Sequence, residues 1–236
     1  RRRVVRVLGA GSDAVGGVEL DDGTTISSRV VVNATGPWSG QLNALAGVGQ
    51  DWTVGTRPMR QEVHHVAAPP AYNDTAAGIG PCLADLDLGT YMRGTPGDGL
   101  LVGGTEPECE PLEWLDRPED AAMTVTPRIF EAQVTRAARR FPDLGVPLRP
   151  SGVCGVYDVT PDWTPIYDRT ELDGFLVAIG TSGNQFKNAP VVGRIISTLV
   201  QGGTTLVGTH TGHEIDLTAF SRTRSRNAQS TGTVMG

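Results

Sequence analysis

Residues 180–190, GTSGNQFKNAP, set two glycines, an isolated lysine and a proline between an apolar run, FLVAI, and a second apolar periodicity, VVGRIISTLV. A buried strand that feeds a glycine turn and then a buried helix brings backbone close to a ligand. The first N–H groups of such a helix have no internal partners and can point at an electron-rich group. Lys187 is the single charge in that turn. Four other side chains have chemistry to offer. His64 and His65 are neighbours on an expected strand, so their rings point to opposite faces and at most one lines any site. That arrangement argues against a zinc pair, and the acidic and thiol residues at 106–110 lack companions at metal-binding spacing, so no metal site is expected. Tyr91 and Arg93 share one face of another expected strand, where Arg93 either reaches a ligand or pairs with a surface acid. No nucleophile, base and orienting acid form a hydrolytic set.

The elements that must position these residues can be read from pattern. The opening segment predicts three strands, Val4 to Leu8, Val15 to Leu20 and Arg29 to Asn33, with a turn at Asp22-Gly23. The VVV run in the third suits a strand covered on both faces. Gly36 and Pro37 end it, and a helix follows with Trp38, Leu42 and Leu45 at helical spacing and Gly47 as C-cap. The GAG at 9–11 is not a dinucleotide fingerprint, because position 14 is Ala and an alternating strand follows where a helix is needed. RPMRQEVHHVAAPP is a short strand candidate, and LDLGTYMRGTPGDGLLVGGTE is a hairpin, which together suggest an antiparallel sheet over a ligand. A helix begins at Thr126-Pro127 with Phe130, Val134, Ala137, Ala138 and Phe141 in one stripe, and its arginines, Arg136, Arg139 and Arg140, read as a solvated face. In the last helix, Val191, Val192, Ile195, Ile196, Leu199 and Val200 form a broad stripe expected to be buried.

The bulk numbers exclude several classes. With 20 basic and 26 acidic residues in 236, the chain is mildly acidic and has no nucleic-acid footprint. The basic clusters at 1–3, 138–140 and 221–226 read as solvated ends and faces. Cys82, Cys109 and Cys154 form no CxxC and no even set, as expected for free thiols in a reducing compartment. No apolar run is long enough to span a membrane and no signal-peptide pattern opens the chain, so a soluble, cytoplasmic protein is expected.

Taken together, VVNATGPWSGQL, YMRGTPGDGLLVGGTE, TPDWTPIYD and GFLVAIGTSGNQFKNAPVVGRIISTLV resemble the FAD-dependent oxidoreductases of the D-amino-acid oxidase superfamily, on the sarcosine oxidase and dimethylglycine dehydrogenase branch. The resemblance runs from about residue 4 to residue 226 and includes a closing IDLTAFSRTR. It implies an α/β with α+β fold. An incomplete FAD/NAD(P)-binding Rossmann-like domain is expected over 1–56 and again over 151–236, and an antiparallel-sheet substrate-binding domain over 57–150. The GxGxxG turn that carries the FAD pyrophosphate in such enzymes is absent from this sequence. The chain therefore resembles a C-terminal portion: a fragment of a longer product, a subunit whose partner chain supplies the nucleotide-binding half, or a remnant without redox chemistry. The portion alone is expected to be inactive.

The resemblance implies FAD as cofactor and a small amino acid or N-methylated amine, such as sarcosine, dimethylglycine or a D-amino acid, as substrate, oxidised at its C–N bond. An electron-transfer partner is implied if the enzyme is a dehydrogenase, and a noncatalytic subunit of a heteromeric flavin oxidoreductase is the alternative. Cofactor contacts are implied for Ala34, Thr35, Gly36, Trp38 and Gly155, and for a flavin clamp of Gly180, Thr181, Ser182, Gly183, Asn184, Gln185, Phe186 and Lys187. Lys187 would also meet the substrate carboxylate. Roles near flavin or substrate are implied for Tyr157 and for one of His64 and His65, and Tyr91 and Arg93 are candidates. Some relatives attach flavin through a cysteine at the position that is Gly155 here. Cys154 lies one residue away and faces the other side of a strand, so no cysteinyl link is expected there.

Overall fold

The computed structural model describes residues 2–105 and 109–227. In chain order the elements are β1 (Val4–Leu8), β2 (Gly17–Leu20), β3 (Thr25–Ser27), β4 (Val31–Asn33), α1 (Ser39–Ala46), β5 (Arg57–Ala67), β6 (Cys82–Asp85), β7 (Thr90–Thr95), β8 (Gly99–Gly104), β9 (Glu113–Trp114), α2 (Pro127–Arg140), β10 (Gly152–Val159), β11 (Ile166–Arg169), β12 (Phe175–Ile179), α3 (Ala189–Val200), β13 (Thr205–Val207) and β14 (Glu214–Asp216). The described residues divide into two compact units, one formed by those up to Pro58 and from Tyr157 to 227, the other by those between Met59 and Val156. No helix among the described residues is long and apolar enough to cross a membrane.

In the first unit, β12 is the centre. It pairs antiparallel with β11 and parallel with β4, in the order β11-β12-β4. Its FLVAI sequence is apolar throughout because both faces are covered. Phe175, Val177 and Ile179 pack with Val7, Leu42, Val54 and Ile166, while Leu176 packs with Ile195, Leu199 and Leu217 of α3 and the segment beyond it. A separate antiparallel meander, β1-β2-β3, precedes it. The turn between β1 and β2 is the GAG segment, where Gly9 has φ +85° and a Cβ would fall 2.2 Å from the Ala14 carbonyl oxygen. That is a hairpin turn, in keeping with the absence of a nucleotide fingerprint.

Several sequence expectations need correction here. A third meander strand, β3, intervenes before β4, because the Asp22-Gly23 turn folds Thr25–Ser27 back onto β2. The VVV run is not covered on both faces: β4 ends its sheet, and Val30 and Val32 are exposed. The broad stripe of α3 is narrower than its sequence suggests, with only Ile195 and Leu199 buried and Val191 and Val200 exposed. In α1, Leu42 and Ala46 are buried but Leu45 and, just before the helix, Trp38 are exposed, and Gly47 closes the helix at φ +72°. The arginines at 222 and 224 are not a solvated tail. Arg224 grips Asp162 with both ends of its guanidinium, and Arg222 binds Asp168 and lies over Trp52.

In the second unit a six-stranded antiparallel sheet runs β10-β5-β8-β7-β6, with β9 on β5. The 11-residue β5 is longer than expected, and the β7–β8 hairpin turns at Pro96–Asp98. α2 is capped by the Thr126 hydroxyl, which accepts from Ile129 N–H, and has Pro at its start. Phe130, Val134 and Ala137 bury against Val66, Met92, Leu100 and Val102, each large side chain contributing about 1.5–3 kcal/mol. Its arginines are not simply solvated: Arg136 pairs with Glu110 and Arg140 with Asp85, both acids nearly buried, while Arg139 stays exposed.

Candidate functional site

The end of β12 is built to turn sharply. Gly180, Ser182 and Gly183 have φ of +70°, +49° and +78°. A Cβ at Gly180 would fall 2.4 Å from Thr160 Cγ2, and one at Gly183 would fall 2.3 Å from the Tyr157 ring, so glycine is required by space as well as by backbone. Ser182 has a side chain in the left-handed region, a cost of about 1 kcal/mol, and is fully buried. Its amide donates to the Asp158 carbonyl at 3.0 Å, and its hydroxyl lies near Gly180 O and the Thr160 amide. The Asp158 carboxylate accepts from Gly180 N–H at 2.7 Å and from the Thr181 hydroxyl.

Beyond the turn, Asn184 N–H closes onto Thr181 O, and Gln185 Oε1 accepts from the Tyr167 hydroxyl at 3.1 Å and from Asn188. Burial, aided by the Asp158 charge, pushes the Tyr167 phenol up to about 12, so it stays a neutral donor. Among the described residues no acceptor faces the N–H groups of Gly183, Gln185, Phe186 or Lys187. Phe186 is 96% exposed. Lys187 is exposed, pairs with no acid among the described residues and is the only lysine in the sequence. The arrangement is a rigid turn that offers unpartnered amides, an apolar ring and a cation on one short segment.

In the same unit, Asn33 ends β4 fully buried. Its amide donates to Ser39 O and Asn43 Oδ1, and its Oδ1 accepts from the Thr35 amide and hydroxyl. That network fixes the turn whose backbone Ala34, Thr35 and Gly36 expose, with Gly36 at φ +55° and open space where a Cβ would stand. Trp38 is 45% exposed just after it. Small residues at the carboxyl end of a parallel strand are the arrangement that lets a dinucleotide approach backbone.

The candidates in the second unit fall in two sets. His64 is fully buried, held through Nδ1 by Gln133 Oε1 at 2.8 Å and through Nε2 by Glu62 Oε2 at 3.1 Å, with its ring edge-on to Phe130. Gln133 Nε2 donates to Glu62 O and to Glu110, which fixes which end of its amide meets the histidine. Arg60 completes the network through Glu62, Glu113, Thr124 O and Cys154 Sγ. Burial alone would raise the Glu62 carboxyl, but the Thr126 amide, the Arg60 guanidinium and the Thr126 hydroxyl outweigh it and hold the group below its usual range. Burial pushes the Cys154 thiol up. A cavity of about 210 Å³ opens beside this network, yet the inward polar atoms of Arg60 and Glu62 are already paired.

The second set lies outside that network. His65 is exposed, with its ring over Gly99. Tyr91 and Arg93 share a sheet face, the Tyr91 ring covering Gly103 so closely that a Cβ there would meet it at 2.3 Å, and Arg93 is exposed. At Gly155 a Cβ would have nothing within 4 Å, whereas Cys154 turns to Arg60. Sequence reasoning missed Asp158. Its signal was an acid set in the apolar strand end VYDV, directly before the TPD segment.

The first unit combines a parallel β4–β12 pair with small residues at its carboxyl ends and a glycine turn into a helix, and the second is built on an antiparallel sheet. The chain belongs to the DAO family of FAD-dependent oxidoreductases, whose sequence signature matches residues 1–199. It is 31% identical over 174 residues to the mitochondrial sarcosine dehydrogenase of Homo sapiens, an alignment that covers 70% of this chain and 17% of that protein. It is 28% identical over 193 residues to FAD-dependent oxidoreductase domain-containing protein 1 of Bos taurus, covering 75% of this chain and 37% of that one. Among solved structures, L-proline dehydrogenase from P. horikoshii superimposes with a TM-score of 0.72 at 21% identity, over 94% of this chain and 53% of that chain. Glycine oxidase from Geobacillus kaustophilus superimposes at 0.69 and 22% identity, over 95% and 52%. The chain thus spans under a fifth of the length of the sarcosine dehydrogenase and about half that of the solved structures.

Proposed function

We propose that this chain forms the flavin-facing portion of an FAD-dependent enzyme that oxidises the C–N bond of a small amino acid or N-methylated amine. The observation that carries the reading is the 183–187 segment, where amides without an acceptor among the described residues, an exposed aromatic ring and the only lysine of the sequence stand together. The donor set fits the cofactor: amide N–H groups with no internal acceptor suit the pyrimidine edge of an isoalloxazine, where negative charge gathers on reduction. Ala34, Thr35, Gly36 and Trp38 would line the cofactor's other side of approach, and Tyr157 would support the clamp from beneath. When bound, FAD supplies the two-electron acceptor that turns an amine into an imine, which water then hydrolyses.

Lys187 would hold the substrate carboxylate, so that orientation and not acid–base work is its contribution. His64 belongs to the scaffold of the second unit, since both its ring nitrogens are engaged. The nucleotide-binding half would seat as a further parallel strand on the open edge of β4, whether carried by the same polypeptide or by a partner chain. The exposed Val32 beside that edge supports this.

The test begins with the absorption spectrum of the full-length protein or its native complex. Bands near about 370 and 450 nm are expected of bound flavin. An amine screen then compares wild type with Lys187→Met. Because Lys187 has no structural partner among the described residues, K187M should keep its flavin and its melting temperature while KM for carboxylate-bearing amines rises at least tenfold. A colourless protein that takes up no FAD would overturn the reading. An unchanged KM would remove Lys187 from the substrate site.

A further inference from the structure

We infer that Asp158 is the positioning residue of the flavin clamp, the one residue from which the first three residues of the glycine turn are hung, two by its carboxylate and one by its backbone carbonyl; the inference rests on the proposed role of that segment. Asp158 is 2% exposed. Its carboxylate accepts the Gly180 amide at 2.7 Å and the Thr181 hydroxyl, and its backbone carbonyl accepts the Ser182 amide at 3.0 Å. Three consecutive residues are therefore tied to one. Two of them, Gly180 and Ser182, have positive φ, a conformation that lasts only where neighbouring bonds over-determine it.

The charge of Asp158 is not matched by a salt bridge. No arginine, lysine or histidine lies within ion-pair distance among the described residues, so hydrogen bonds from the turn are what satisfy this buried carboxylate. The dependence is mutual: a buried acceptor without these donors is costly, and the turn without this acceptor loses two bonds. The Thr181 hydroxyl spends its hydrogen inward on Asp158, and so presents only lone pairs elsewhere. The consequence for the clamp is that its free amides, at Gly183 and beyond, start from a fixed point.

Amide hydrogen exchange on the protein, with and without FAD, tests this in Asp158→Asn, Asp158→Ala and Thr181→Val. Asn keeps an oxygen that can accept the Gly180 amide and an amino group that the Thr181 oxygen can accept from. It should therefore preserve protection at Gly180 and Ser182 and hold the dissociation constant for FAD within about threefold. Ala should speed exchange at Gly180, whose acceptor it removes, by tenfold or more while Val177 in the middle of β12 stays protected, and should weaken FAD binding by a similar factor. Thr181→Val removes one bond at constant volume and should lie between. Should D158A fail to fold, the comparison of D158N with T181V carries the test: T181V is expected to exchange faster at Gly180 than D158N does.

Unchanged exchange at Gly180 in D158A would overturn the inference. So would a loss of protection that spreads equally through β12, which is the signature of a purely structural residue. A wild-type protein that binds no FAD would defeat the functional reading instead, and the exchange data on the unliganded protein would still decide whether Asp158 positions the turn.

Discussion

Replacing Arg224 with methionine removes the group that closes the 160–165 loop. The Asp162 side chain is 1% exposed and the Arg224 side chain 7%, and their contact is two-pronged, at 3.0 and 2.8 Å. Arg224 also donates to the carbonyls of Thr164, Pro165 and Ser221, so methionine strands a buried carboxylate and three acceptors together. Breaking one partner of such a pair costs about 3–5 kcal/mol. An independent figure comes from protonation. Burial alone would raise the Asp162 carboxyl, but Arg224 and the amides of Asn227 and Thr164 outweigh it and pull the group from 3.8 to about 2. That depression is worth about 2 kcal/mol at neutral pH.

Because the folded value is the lower one, this stability is fully present above about pH 4 and is lost as pH falls towards 2. Urea unfolding should be followed by tryptophan fluorescence in a Trp114→Phe background, where the remaining Trp38, Trp52 and Trp163 all belong to the first unit. At pH 7, R224M should lose about 3 kcal/mol, and a double-mutant cycle with Asp162→Asn should return a coupling above about 1.5 kcal/mol. The wild-type decline between pH 4 and 2 should flatten in D162N. A coupling below about 0.5 kcal/mol would put the pair among ordinary surface ion pairs and refute the claim that the final segment pins this loop.

Two further outcomes are expected. Gly183→Ala adds a left-handed penalty of about 1–2 kcal/mol and a methyl 2.3 Å from the Tyr157 ring, so it should lower both flavin content and melting temperature, while Gly155→Ala, with open space around it, should change neither; equal behaviour of the two variants would contradict the packing account. Gln133→Leu leaves His64, Glu110 and Glu62 O each short of a partner and should destabilise the second unit by about 2–4 kcal/mol, read by Trp114 fluorescence, with a loss under about 0.5 kcal/mol counting against the network.

The residues explain why some of this was legible in the sequence. α2 was readable because Thr126, Pro127 and the Phe130–Val134–Ala137 stripe are local signals that agree with one another. The β7–β8 hairpin was readable because TPGDG specifies its own turn. The edge position of β4 was not: VVV describes a side-chain pattern, and whether both faces are covered depends on strands far away in sequence. The same holds for the arginines of α2 and of the closing segment, whose acids lie 26 to 62 residues off. The glycine turn could be located from its own residues, but the acid that holds it could not, since Asp158 precedes Gly180 by 22 residues and meets it only across the folded unit.

The division between arginine and lysine gives the site its character. Twenty residues are basic, and all except Lys187 are arginines. The buried or half-buried ones do structural work that needs a planar fork: Arg60 ties Glu62 and Glu113, Arg136 meets Glu110, and Arg224 grips Asp162 from two sides. Each is fixed by several acceptors and has little freedom to meet a ligand. A lysine is a compact, hydrated charge on a flexible stem, poorly suited to a fixed bidentate role and well suited to following a small carboxylate into place. It stands just beyond a turn with three positive φ values, four residues after the last of them, and among the described residues no acid holds it. An exposed cation on a fixed turn suits the substrate-orienting role proposed for Lys187, so its replacement should alter KM and leave folding alone.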